Sequence, residues 1–90
     1  MSATDRILRG ENAARFLKEP VFRETLDACL RLVQTRWAST KPEDAQSREL
    51  LFHQFTAVHD FEDMLGNFVE DGKRAEREEE ENGDESNTTG

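Results

Sequence analysis

From residue 11 to residue 65 the chain has no glycine, and its two prolines, Pro20 and Pro42, each stand ahead of apolar residues spaced three and four apart. A proline in the first turn suits a helix start, because its missing N–H falls where a helix leaves donors unpaired anyway. No Asn-Gly or Asp-Gly lies between alternating apolar runs, so the hairpin and strand signals are absent. The chain is therefore constrained to an all-α fold, and the remaining question is how few helices must cover one another.

Three helices are predicted. The first spans about residues 4–18, with Thr4 or Ser2 as cap and Asp5 in its first turn. Its loose apolar face of Ile7, Leu8, Ala13, Ala14, Phe16 and Leu17 is weakened by Gly10, which costs roughly 1 kcal/mol relative to alanine inside a helix. It ends before Pro20, since a residue preceding proline is driven out of the α region. The second covers about residues 20–39, with Phe22, Leu26, Cys29, Leu30, Val33 and Trp37 forming one stripe. Cys29 is expected to be a small buried hydrophobe there, and a lone cysteine forms no internal disulfide.

The segment TKPEDAQSRELLF then reads as a corner. Thr40 and Glu43 have the spacing of a capping box, with the threonine oxygen accepting from the backbone N–H of Glu43 and the glutamate reaching back. Pro42 falls in the first turn of the third helix. So short a connection makes the second and third helices, about 20–39 and 42–71 or longer, an antiparallel helical hairpin with the first as a short N-terminal addition. In the third helix Leu51, Phe55, Val58, Leu65 and Phe68 or Val69 keep a heptad-like spacing. Gly72 offers one place to stop, but the helix formers of KRAEREEEE favour a fraying continuation to about Glu80, followed by disorder over residues 82–90. The domain reading is a single helical domain over residues 1–75 and an acidic tail over 76–90.

Charge narrows the function. The net charge is −8, with nine Lys/Arg against thirteen Asp/Glu in residues 1–72 and three against seven in residues 73–90. Such a chain repels nucleic acid and anionic membranes. The N-terminus lacks the apolar core of a signal peptide, and no run approaches a membrane span. His53 and His59 are six residues apart and point to different helix faces, so no metal site is expected. The carboxylate pairs Glu43/Asp44, Glu62/Asp63 and Glu70/Asp71 sit on polar stretches without the desolvated cleft that acid–base chemistry needs. No phosphate loop or nucleophile grouping is present, and neither catalysis nor a cofactor is expected. The basic cluster Lys73, Arg74 and Arg77 runs into Glu78–Glu81 and reads as a solvated helix surface.

The apolar residues of the third helix spread over more than one face, which a hairpin with one short helix cannot cover. Uncovered apolar surface marks an interface. Phe22, Trp37, Phe52, Phe55, Phe61 and Phe68 are the expected core and interface residues, and Thr40 and Glu43 the expected caps.

The segments KEPVFRETLD, TRWASTKPEDAQSRELLF and FVEDGKRAE, across about residues 12–77, resemble a family of small helical proteins encoded near the portal and capsid genes of tailed bacteriophages. The matching features are Glu19–Phe22, Trp37, Pro42–Asp44 with Arg48 and Glu49, and Gly72–Ala75, while Phe52 departs from an expected tryptophan. The resemblance implies a non-enzymatic virion or assembly protein that binds itself or a capsid, portal or scaffold component. Its place would be the host cytoplasm during assembly or the virion. The rival expectation is an acidic inhibitor that mimics nucleic acid, against which stand the nine basic residues interrupting residues 1–72.

Overall fold

In the computed structural model the backbone of residues 1–89 and the side chains of residues 1–83 are described, and the described residues form three helices and no strand. These are α1 (Ala3–Lys18), α2 (Pro20–Ala38) and α3 (Ala45–Thr89). The all-helical class expected from the proline and glycine punctuation is what is observed. The chain divides into two compact units, Met1–Leu17 with Met64–Gly90, and Lys18–Asp63.

Each helix start is set by a side chain that the local sequence supplies. Ser2 Oγ accepts from the backbone N–H of Asp5 at 3.1 Å and so caps α1. Glu19 is the single residue between α1 and α2. It is extended (φ −71°, ψ 123°), as a residue before proline must be, and its carboxylate accepts from the Phe22 N–H at 2.7 Å. At the far end of α2, Ser39 N donates to Thr35 O and Arg36 O, and Thr40 N and Oγ1 both donate to Trp37 O, which satisfies the last carbonyls.

The corner differs from the capping box expected at Thr40 and Glu43. Residues 41–44 make a turn closed by Asp44 N donating to Lys41 O at 2.9 Å, with Pro42 in its second position. Asp44 is the cap: its Oδ1 accepts from Ser47 N at 3.3 Å and its carbonyl takes the first helical bond, from Arg48 N. Thr40 is unavailable because its hydroxyl is committed to Trp37 O and to Arg48 Nε. α3 thus starts at Ala45 rather than Pro42.

Gly72 is no helix end either. It lies inside α3, buried, and the helix continues past Asn82 and Gly83, where the sequence suggested it would stop. The disorder expected further along falls, from residue 84 on, outside the residues whose side chains are described.

In the first unit α1 and α3 meet backbone to backbone. A Cβ on Gly10 would stand 2.9 Å from Phe68 O and 3.0 Å from Gly72 Cα; one on Gly72 would stand 3.1 Å from Arg6 O. Neither helix can carry a side chain at this crossing, which is the role of the two glycines. Ala13 and Ala75, one turn on in each helix, are buried beside them.

In the second unit the buried residues are Leu26 and Val33 of α2 and Leu51 of α3. Half-buried Phe22, Leu30 and Phe55 extend this thin core.

Candidate interaction surface

The six aromatic residues expected at the core or interface do not gather into one cluster. Phe68 belongs to the first unit, and the other five to the second. In the second unit, Phe22 and Phe61 pack with ring centroids 6.2 Å apart and planes tilted by 40°. Arg23 and Glu62, each the next residue along, form an ion pair of 3.1 Å. Toward the corner, the Arg48 guanidinium lies 5.0 Å from the Trp37 ring while its Nε donates to Thr40 Oγ1. Phe55 and His59 meet edge to face with ring centroids 4.5 Å apart.

Phe52 and Phe61 are each 56% exposed, and Leu50, Met64, Val21 and Leu32 are also largely uncovered. Between α2 and α3 lies an open groove of about 320 Å³, lined by Phe22, Thr25, Leu26 and Cys29 on one side and Ala57, Val58 and Phe61 on the other. Its lining carries almost no polar surface, so it suits an apolar side chain rather than a charged small molecule. Cys29, expected to be buried, is exposed on this groove. It sits at the edge of the α2 stripe, while Leu26 and Val33 take its buried centre.

The first unit carries the densest electrostatics. Arg6 meets Asp71 with two bonds, Nε to Oδ2 at 3.0 Å and Nη2 to Oδ1 at 2.8 Å, and reaches Glu78 at 3.3 Å. Arg9 Nη2 approaches Asp71 at 3.2 Å and Arg74 Nη1 at 3.5 Å. The hydrogen bonds from Arg6, above all, hold the Asp71 carboxyl below its ordinary range, and the same contact raises the Arg6 guanidinium further. The Arg9 guanidinium also lies 4.2 Å from the Phe68 ring centroid, which leaves its Nε buried without a hydrogen-bond partner. The arrangement fastens α1 to α3.

Periodicity did not point to this network, since Arg6 and Asp71 are far apart in sequence and each lies on a polar face of its own helix. Gly10 was the available signal: a glycine that weakens a helix is tolerated where another backbone must come close. Among the described residues, no three His, Cys, Asp or Glu side chains come together as a metal ligand set, and no helix is long and apolar enough to cross a membrane.

Comparison of the chain with protein-family models, with curated proteins and with solved structures finds no match.

Proposed function

We infer that the chain is a non-enzymatic helical interaction protein that works in the assembly or the particle of a tailed bacteriophage. In this reading α2 and the first half of α3 form an antiparallel hairpin whose uncovered apolar face takes a protein partner. The partner is a second copy of the chain or a capsid, portal or scaffold component. The observation that carries it is the set of large apolar side chains left exposed on the second unit: Val21, Leu32, Leu50, Phe52 and Phe61, with Trp37 at 39%. Single exposed apolar residues need no explanation, but this many on one small unit that also carries an apolar groove support an interface. The phage setting rests on the resemblance of residues 12–77, and the protein-binding role on the exposed face.

Two measurements test the two halves. Sedimentation at tens of micromolar should show a mass above that of one chain; a strictly monomeric, folded protein removes the self-association half. Quantitative mass spectrometry of purified particles should find the protein in a fixed copy number; its absence from particles and from assembly intermediates removes the phage half. Deleting residues 76–90 separates this reading from nucleic-acid mimicry, because assembly survives the deletion and mimicry does not.

A further inference from the structure

The exposed side of α2 carries a pattern that specifies the occupant of the surface. Val21, Thr25, Ala28, Leu32 and Thr35 follow one another at intervals of four, three, four and three residues, and all five are exposed. This is the seam spacing by which one helix packs along another. No charged residue interrupts it. The hydroxyl of Thr25 donates to Val21 O at 2.7 Å within the same helix, so it has no need of water. Ala28, in the middle, lets a second helix approach closely.

The flank of this seam is self-complementary. Glu24 and Arg31 lie two turns apart on the same side of it, both exposed, and among the described residues neither has an ion-pair partner. When two copies of a helix pack antiparallel about a two-fold axis, residues on the same flank face each other. With the axis beside Ala28, Val21 meets the other copy's Thr35, Thr25 meets its Leu32, and Glu24 meets its Arg31. Both flank pairings bring opposite charges together. A parallel pairing instead sets this flank against the opposite flank of the other copy, so that neither Glu24–Arg31 pair forms.

We propose that two copies of the chain associate through α2, antiparallel about a two-fold axis at Ala28. The other copy's helix also closes over the groove beside Cys29. This rests on the self-association half of the function proposed above and adds its surface and geometry.

The test uses the full-length chain, with analytical ultracentrifugation for the dissociation constant and circular dichroism to confirm that each variant is folded. Leu32→Glu places a charge in the seam at a position 48% exposed in the single chain. It should leave the helix content intact and abolish the dimer. Glu24→Arg and Arg31→Glu each create two like-charge contacts and should weaken the dimer about tenfold. The combined Glu24→Arg/Arg31→Glu variant restores both pairs and should return to within about threefold of the original. A short bismaleimide should link Cys29 to the other copy's Cys29 in the original protein and not in Leu32→Glu. A dimer indifferent to Leu32→Glu overturns the α2 surface. A dimer sensitive to Leu32→Glu, with a double variant no tighter than the single ones, overturns the antiparallel geometry. An original protein that never dimerises removes the function proposal's self-association half itself, an outcome distinct from these two.

Discussion

Where α1 meets α3 in the first unit, backbone touches backbone at Gly10 and Gly72, and the carboxylate of Asp71 gathers three arginines around the crossing. Where α2 runs beside α3 in the second, side chains hold the helices apart, only Leu26, Val33 and Leu51 are buried, and about 320 Å³ of apolar groove stays open. The first contact has used its surface on itself. The second has kept apolar surface in reserve. Close packing with charge fastening holds the first crossing, whereas the second unit combines a thin core with an open apolar groove.

The largest expected effect breaks the first contact. Gly10→Val puts a branched side chain where even one Cβ would lie 2.9 Å from a backbone oxygen, and should cost about 3 kcal/mol in urea or thermal unfolding. The matched Gly66→Ala, at a glycine with open space around it, should gain about 0.5–1 kcal/mol from helix propensity. If both variants melt alike, the crossing is not a close contact.

Next comes the second core. Leu26→Ala should cost about 2 kcal/mol, the lower end for a buried leucine, because the neighbouring groove lets solvent reach the space it vacates. A loss of 4 kcal/mol or more would mean that this unit is as tightly closed as the first.

The corner between α2 and α3 gives a smaller effect. Asp44→Ala should cost about 1 kcal/mol by removing the cap bond to Ser47, while Glu43→Ala stays within about 0.5 kcal/mol. The reverse order would return the cap to Thr40 and Glu43.

The smallest effect is a matter of pH. Asp71 has its carboxyl lowered in the folded chain, mainly by the hydrogen bonds from Arg6, so it binds its proton more weakly folded than unfolded. The stability it confers is present above the ordinary carboxylate range and is lost as the pH falls through the lowered value. Asp71→Asn should therefore flatten the acid side of a plot of melting temperature against pH and leave the slope above pH 5 unchanged. An identical acid limb in the variant and the original would show that the arginines confer nothing through Asp71.

How far the fold was legible follows from where each signal lives along the chain. Pro20 and its preceding Glu19 could be read locally because the proline restricts its neighbour whatever the tertiary context. The corner misled because two segments fit the same cap template: Thr40 with Glu43, and Asp44 with Ser47. What decided between them was Arg48 bonding the Thr40 hydroxyl, a contact across eight residues that spacing does not reveal. Cys29 was misplaced because a stripe drawn at helical spacing is wider than the strip a neighbour covers, and Cys29 stands at its margin. The Gly10–Gly72 crossing was invisible for a simpler reason. Each glycine looks like a defect in its own helix, and only the pairing of the two makes either useful.

That pairing has a consequence for genetics. In a survey of single substitutions, Gly10 and Gly72 should stand among the least tolerant positions of the chain, ahead of the exposed aromatics and the seam of α2. A function screen would rank them as hot spots, although what a side chain at either position disrupts is the helix crossing. A screen that also recorded protein abundance would sort the positions correctly. The glycines would lose protein and activity together, while Leu32, Glu24 and Arg31 would lose association with the abundance unchanged.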